Sequence, residues 1–362
     1  MTDESLPAAR ARRADLDLLR RLTEAVGVSG NEGPVRAIVR QAVEGHADRV
    51  WEDSLGNLLA VRSPARRPRL RVMLAAHMDE VGLMVMGSDD EGLLRFEPVG
   101  GVDPHRLPAA ALWVGKGRHP GVIGVPPVHL LGRSGGREPF EVEALRIDIG
   151  ARDPKEALDR VRPGEWAAYA TPFRRIGPAV WAKALDDRLG VAMLIELLRA
   201  PPEGVELLAA FTVQEEVGLR GARVAAQALA PDAALVLDAT PARDLPAWDG
   251  QPTTTYNSRL GAGPAVYAAD QRTISHAGLL QHVIATAGAL ELPFQIRQPG
   301  GGGTDAGAIH LSLEGIPSLS ISVPVRYLHG PSGLALLADW RASVRLVHAA
   351  LGRLGRRHLR PA

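Results

Sequence analysis

Along the first part of the chain, apolar positions recur with a helical period. Residues 14–26 (ADLDLLRRLTEAV) space them three and four apart. The segment GVSGNEG breaks that period, and Pro34 opens a second predicted helix, PVRAIVRQAVEG, a role suited to a residue with no amide hydrogen to donate. VWEDSLGNLLAVR then alternates like a hairpin that turns at Leu55, Gly56 and Asn57. LRVMLAAH (70–77) is a short continuous apolar run, the pattern of a strand covered on both faces. Between about 80 and 170 the runs become short and Gly and Pro frequent, with one brief helical stretch at PKEALDRV. That texture predicts an inserted β-rich unit, a barrel or a sandwich.

From about 180, helical and strand patterns alternate. DDRLGVAMLIELLRA reads as a helix, VELLAAFTVQEE as a strand, RVAAQAL as a helix and AALVLDAT as a strand. ISHAGLLQHVIATAGAL, TDAGAIHLSL and LALLADWRASVRLVHAAL read as helices, and PFQIRQPG and PSLSISVP as strands. Alternation of this kind implies a largely parallel or mixed sheet with helices on both faces. Ligands of such sheets gather at the carboxyl ends of the strands.

The polar residues at those ends are the candidate chemistry. LRVMLAAH ends in His77, VELLAAFTVQEE in Glu215 and Glu216, and AALVLDAT in Asp238. SLSISVPVRYLHG leads into His329, and Asp186-Asp187 opens a helix. Taken singly, each has a plain reading: a strand-end histidine is a polar cap, Asp-Asp an N-cap and Glu-Glu a solvated pair. Together they put two histidines and several carboxylates in one crevice, an inventory suited to divalent metals. A lone aspartate can bridge two such ions. One glutamate of the pair can ligate while its neighbour takes a proton from water, which explains two adjacent like charges that burial would otherwise penalise. In HMD, Asp79 stands two residues beyond His77 and can hold its other ring nitrogen.

The remaining histidines change little. His276, His282 and His348 fall within predicted helices; His46, His119, His129, His310 and His358 have no comparable placement. His105, in GGVDPHRL, sits in a loop within possible reach of a site, although an exposed loop residue is the plainer reading. Gly300–Gly303 lacks the ending of a phosphate loop and reads equally as a flexible turn or as backbone lying close to substrate. Arg220 and Arg272 are candidates for favouring acidic side chains, against the plain reading of surface arginine.

Composition narrows the class. At 362 residues the chain is long enough for two domains. Its 46% hydrophobic and 23% charged residues are those of a globular protein with a sizeable core. A net charge of +1 provides no field for nucleic acid or an acidic membrane, and no run has the length of a membrane span. The charged N-terminus lacks a secretory pattern. The absence of cysteine removes disulfides, thiol nucleophiles and thiolate metal sites, and fits a cytoplasmic location.

With these residues in view, the chain resembles the TET-type di-metal aminopeptidases, the glutamyl/leucyl/lysyl aminopeptidase family whose members sometimes carry the older label cellulase M or endoglucanase. The segments that carry the likeness are GVSGNEGPVR, DSLGNLLA, AAHMDEVGLMV, GVIGVPPVHLL, IDIGA, VRPGE, KALDDRLG, QEEVGLRGA, LDATPA, GGGTDAGAIH and RYLHGP, in order from residue 27 to about 331. The resemblance implies an α/β fold: an αβα sandwich catalytic domain of zinc-peptidase type with a mixed sheet (1–78 and 171–362), interrupted by a β-rich, barrel-like domain (79–170) serving oligomerisation or substrate access. It implies two divalent ions per subunit, zinc or cobalt, with manganese also compatible. His77 and Asp238 would bind one and Glu216 and His329 the other, with Asp186 between them, Glu215 as general base and Asp79 orienting His77. It further implies short peptide substrates and dimers that build a hollow tetrahedral dodecamer with interior active sites. Two rival readings fit less well. A glycoside hydrolase needs two carboxylates across a sugar, and adjacent strand residues such as Glu215 and Glu216 are expected to face opposite ways. A non-catalytic scaffold would have lost a ligand or the base, and the full set is present.

Overall fold

In a computed structural model, residues 11–68, 70–125, 140–245 and 258–360 are described. His129, the PPVHLL part of the GVIGVPPVHLL segment and the first ten residues lie outside them. The chain begins with α1 (Arg13–Glu24) and α2 (Gly33–Val43), whose apolar stripes turn Leu19, Leu22, Val35 and Val39 inward. β1 (Arg49–Glu52) and β2 (Leu58–Arg62) pair antiparallel around Gly56, whose φ of 104° suits a residue without a side chain. β3 (Leu70–His77) is buried at every position but one.

Next comes a closed barrel. β4 (Gly82–Ser88), β5 (Leu94–Val99), β6 (Ala111–Val114), β7 (His119–Gly124), β8 (Arg146–Asp148) and β9 (Trp166–Tyr169) close in the order β4-β5-β8-β7-β6-β9. Leu83, Val85, Leu112, Ile123 and Ile147 belong to a core of its own. α3 (Pro154–Arg160) precedes β9 and is capped by Asp153, whose side chain accepts from the Glu156 amide.

The chain then returns to the main sheet through β10 (Arg174–Ile176), β11 (Ala179–Ala182), α4 (Leu185–Arg199), β12 (Val205–Thr212), α5 (Arg220–Leu229) and β13 (Ala233–Pro241). β14 (Ala265–Tyr267), α6 (Ala277–Ala289), β15 (Gln295–Arg297), α7 (Ala306–Ile309), β16 (Ser318–Arg326), β17 (Gly333–Leu336) and α8 (Leu337–Arg353) complete it. The strand order is β1-β2-β12-β3-β13-β16-β17-β11-β10, with β14 and β15 branching from β16. The central strands β12, β3, β13 and β16 are parallel and the outer pairings of the main path antiparallel, so the sheet is mixed. One face packs on α1, α2, α4, α6 and α8 through residues such as Leu19, Val39, Leu194, Val283 and Leu346. On the other, Met73, Leu208 and Val236 share a core with Ala222, Leu229 and Ile309 of α5 and α7. The result is the expected α/β sandwich with a barrel.

Several boundaries differ from the sequence reading. The strand VELLAAFTVQEE stops at Thr212, so Glu215 and Glu216 lie in the following loop. Asp238 lies inside β13, which continues to Pro241. His276 precedes α6 as its cap rather than lying within it, and accepts from the Leu279 amide. The segment LALLADWR is split, Leu334–Leu336 belonging to β17 and the helix starting at Leu337. β10, β11 and β14 were not foreseen; at three or four residues each they are too short to show a period.

Candidate metal centre

Four parallel strands put their carboxyl ends along one sheet edge. His77, the last residue of β3, is paired with Thr212, the last of β12. Past Thr212 the backbone bends sharply, with Gln214 at a φ of 56°, and presents Glu215 and Glu216 at that edge. Past β16, Tyr327 and His329 also take positive φ, 63° and 57°, turning His329 back toward the sheet. Asp186 and Asp187 open α4 with non-helical backbone and a cis peptide bond between them.

These residues converge. His77 Nε2 lies 3.2 Å from Asp186 Oδ1 and 3.7 Å from Asp238 Oδ1. His329 Nε2 lies 3.2 Å from Asp186 Oδ2 and 3.3 Å from Glu216 Oε1. Asp186 therefore turns one oxygen to each imidazole. Three overlapping groups each have potential ligand atoms within 4.8 Å of one another: His77 with Glu215 and Glu216, His77 with Asp187 and Asp238, and Asp186 with Glu216 and His329. Asp187, assigned no metal role from the sequence, is bonded locally, accepting from the Gly190 amide at 2.9 Å and the His77 amide at 3.3 Å. Glu215 and Glu216 face the same crevice. The expectation that alternation would point them apart is wrong, because the strand ends before they begin.

The electrostatics show a surplus of negative charge. Burial raises Glu215 well above the ordinary carboxylate range, with Glu216, Asp238 and Asp305 adding to the effect against the pull of His77. Burial lifts Asp238 to about 7, outweighing its bond to His77. It also raises Glu216, against the bond to His329. Asp186 goes the other way: burial opposes its charge, but bonds from His329 and His77 hold it below the usual range. Burial likewise opposes charge on His329, yet Asp186 and Glu216 push it up to about 11. His77 is raised well above its ordinary value, since Glu215 and the bonds to Asp186, Asp238 and Asp79 overcome its burial. Two imidazoles must share protons with a larger set of buried carboxylates. That imbalance, in oxygen and imidazole donors, fits divalent cations.

A cavity of about 670 Å³ opens over this centre, lined by His77, Asp186, Glu215, Glu216, Asp238 and His329 among others. The profile of the M42 glutamyl aminopeptidases matches residues 56–346. The chain belongs to this family. It is 34% identical to the lysyl aminopeptidase of Pyrococcus furiosus over 352 residues, 94% of this chain and 97% of the relative. It is 31% identical to the glutamyl aminopeptidase of Lactococcus lactis over 345 residues, 92% and 95% of the two chains. Among solved structures, it is similar to a TET aminopeptidase from a marine-sediment Thaumarchaeota archaeon (34% identity, TM-score 0.90, 96% of this chain and 98% of that one). It is also similar to the Pyrococcus horikoshii TET1 peptidase, described as assembling into a tetrahedron or a large octahedral shell (33%, TM-score 0.82, 94% and 100%). The protein is an aminopeptidase.

Around the centre of this M42 aminopeptidase lies a shell of contacts that the sequence reading mostly missed. The fully buried Asp79 grips the Glu215–Glu216 loop: Oδ1 accepts from the Glu215 amide at 3.0 Å, and Oδ2 from the Glu216 amide at 3.1 Å and Ser29 Oγ at 2.6 Å. His77 Nδ1 lies nearer the Asp79 carbonyl oxygen, at 3.2 Å, than its carboxylate, at 3.5 Å. His329 Nδ1 donates to the carbonyl of Gly101, in the loop after β5, at 3.1 Å. Both rings thus turn Nε2 to the centre. Asn57 Oδ1 accepts from the Val213 amide at 3.0 Å, and Glu32 Oε1 from the Gln214 amide at 3.2 Å. Behind Asp79, Glu80 is buried against Lys183 Nζ at 2.6 and 2.8 Å, with Arg188 at 3.4 Å. Asp79 was marked by the HMD spacing; for Ser29, Glu32, Asn57, Glu80, Lys183 and Arg188 the sequence signal was their place in the segments GVSGNEG, DSLGN, HMDE and KALDDRLG.

The other candidates fall elsewhere. His105 is exposed, bonds to Asp103 at 2.9 Å and does not line the cavity. His310 Nδ1 bonds to the Ala306 carbonyl, and His282 stacks on His358 with centroids 4.1 Å apart. Gly301, Gly302 and Gly303 do line the cavity.

Proposed function

We propose that the centre holds two divalent cations, that His77, Asp186, Glu216, Asp238 and His329 ligate them, and that Glu215 is the general base. The observation that carries this reading is Asp186, with one oxygen 3.2 Å from each histidine inside overlapping donor groups. Such a pair of cations supplies the charge that polarises a scissile carbonyl and brings a water pKa near 7. The chain's own residues do the rest. Glu215 takes the proton of the attacking water and delivers it to the leaving amine as the amide C–N bond breaks. Asp79 and the Gly101 carbonyl orient His77 and His329, and Asp79 holds the loop that carries both glutamates.

The substrate is a short peptide with a free N-terminus. A glycosidase reading needs only a carboxylate pair. It leaves His77, His329 and Asp186 without a task. The two glutamates do share a face, so the argument against it rests on the rest of the centre. Assembly into a homo-oligomer, a dimer building a tetrahedral dodecamer, is supported by the family resemblance and by the P. horikoshii TET1 structure. The exposed apolar Ile274 (83%) and Leu311 (75%) are surface that an assembly would cover. The β-rich insertion at 79–170 would serve oligomerisation or control access. A cytoplasmic location accords with the lack of cysteine; among the described residues no helix is long and apolar enough to cross a membrane.

The test is hydrolysis of an aminoacyl-p-nitroanilide panel by metal-stripped protein, with zinc, cobalt or manganese restored, beside Glu215→Gln. Metal-dependent release reduced by about 10²–10⁴-fold in the variant, with metal still bound, is expected. A chain that binds no metal, or a Glu215→Gln variant as active as the parent, refutes the assignment.

A further inference from the structure

Of the four arginines lining this cavity among the described residues, Arg243, Arg272 and Arg297 belong to the sheet domain and Arg106 to the inserted barrel. Arg106 ends a short turn (Pro104–Arg106) in the loop between β5 and β6, and the next residue, Leu107, is fully buried in the barrel core. That loop reaches two of the proposed metal ligands. A Cβ added at Gly100 would stand 3.2 Å from Glu216 Cβ, and one added at Gly101 would stand 3.1 Å from His329 Nδ1. Glycine at both positions lets the loop backbone lie against those side chains. The carbonyl that accepts from His329 Nδ1 belongs to the same Gly101.

Arg106 fastens this arrangement. Its Nη1 donates to the carbonyl of Leu328, the residue before His329, at 2.7 Å and across 222 positions of sequence. Its Nε lies 3.2 Å from Asp103 Oδ2, and Asp103 also caps the turn by accepting from the His105 amide at 3.1 Å. On the far side of His329, a Cβ added at Gly330 would stand 3.0 Å from Arg106 Nη1 and 3.2 Å from its Cδ. The guanidinium thus touches the backbone both before and after His329. The segment it grips needs holding. Tyr327 and His329 both have positive φ, a conformation that residues other than glycine keep only where neighbours impose it. The His329 side chain is 32% exposed, that of His77 3%. His77 and Asp238 are set from the sheet itself: His77 Nδ1 faces the Asp79 carbonyl, and Asp238 Oδ1 accepts from the Ala239 amide at 2.7 Å. The Glu216–His329 pair leans on the barrel as well.

We propose that Arg106 is a positioning residue that latches the His329 turn to the inserted barrel. It thereby sets the affinity for the cation held by Glu216 and His329, and leaves the cation held by His77 and Asp238 little affected. This rests on the two-cation reading given above. Without the latch the turn spends part of its time elsewhere, and a site whose ligand is in place for a fraction of the time binds more weakly by that fraction.

The experiment titrates the metal-stripped full chain with zinc by calorimetry and with cobalt by visible absorption, in wild type, Arg106→Ala and Arg106→Lys. The Arg106 side chain is 39% exposed, so its truncation leaves the barrel core intact. Wild type is expected to bind two equivalents. Arg106→Ala keeps one at the parent's affinity and weakens the other by about 10–100-fold. Arg106→Lys, which can still donate to the Leu328 carbonyl, recovers part of that loss. On an aminoacyl-p-nitroanilide, kcat of Arg106→Ala falls at limiting metal and returns as metal is raised, with KM unchanged. Parental affinity for both equivalents, or equal weakening of both, overturns the proposal. So does a KM raised at every metal concentration with metal binding unchanged, which would make Arg106 a substrate contact. Chymotryptic cleavage after the half-exposed Tyr327, read by mass spectrometry on metal-free protein, separates the two readings. If wild type does not bind a second cation, the two-cation assignment fails; faster cleavage in Arg106→Ala still supports the latch, and unchanged cleavage overturns it.

Discussion

Asp79→Asn keeps the shape of a buried side chain and removes its charge. The parent carboxylate accepts three bonds, from the Glu215 amide (3.0 Å), the Glu216 amide (3.1 Å) and Ser29 Oγ (2.6 Å). Asparagine has one acceptor oxygen, and its NH₂ must face one of these donors. The smallest loss places it against the Glu215 amide, abolishing one charge-assisted bond and leaving a buried N–H without an acceptor. Either effect is worth roughly 1–3 kcal/mol and the two overlap, so about 3 kcal/mol is expected. Urea unfolding of metal-stripped protein reads this as a lower midpoint at unchanged m. Because the loop carries Glu215 and Glu216, metal affinity or turnover should also fall, by about 10–100-fold. Ser29→Ala removes only the 2.6 Å bond and should cost about 1 kcal/mol. If Asp79→Asn lies within about 0.5 kcal/mol of the parent, a change typical of a featureless surface site, the carboxylate does not hold the loop. The same conclusion follows if Ser29→Ala costs as much as Asp79→Asn.

Two further predictions concern parts of the fold behind and away from the cavity. Lys183→Met strips Glu80 of its bonds at 2.6 and 2.8 Å and leaves a buried carboxylate with only the Gly27 amide and the longer contact to Arg188 at 3.4 Å, which should cost about 3 kcal/mol in denaturant unfolding. Replacing Glu80 by Leu in the same chain should recover a large part of that loss, and no recovery would count against an unpaired charge as the cause. Burial, with Arg357 and Arg353 nearby, holds the His282 imidazole below its ordinary 6.5 despite its bond to the Ala350 carbonyl. The unfolded chain then binds more protons below that pH, so this group's contribution is fully present above about 6.5 and is lost as the pH falls toward the folded value. His282→Phe should flatten the dependence of unfolding free energy on pH immediately below 6.5, and an unchanged slope would assign it elsewhere.

The residues of the centre were legible because each marks a break in an apolar pattern. His77 closes β3, Asp186 opens α4, and His329 follows the long run that became β16. Periodicity registers such breaks, and parallel strands bring them to one edge whatever their separation along the chain. It could not tell that the strand carrying Glu215 and Glu216 stops at Thr212. The stop is made by a left-handed Gln214, pinned by Glu32 and flanked by a Val213 amide bonded to Asn57, partners 182 and 156 residues away. A non-glycine residue in that conformation leaves no local signature, because distant side chains hold it there.

By itself, then, the sequence determined the alternation of strands and helices, the β-rich interruption and the inventory of imidazole and carboxylate groups. These are properties of spacing and residue type. Only the tertiary structure decided their orientation: Asp186 with an oxygen to each histidine, Gly101 reaching across 228 residues to set the His329 ring, and two adjacent glutamates on one face. It also decided which arginines meet the cavity, since Arg297 is positioned by Tyr267 and Thr240 from other strands. Hydrogen-bond direction and loop conformation depend on groups that meet only once the sheet has formed, and no period along the chain encodes them.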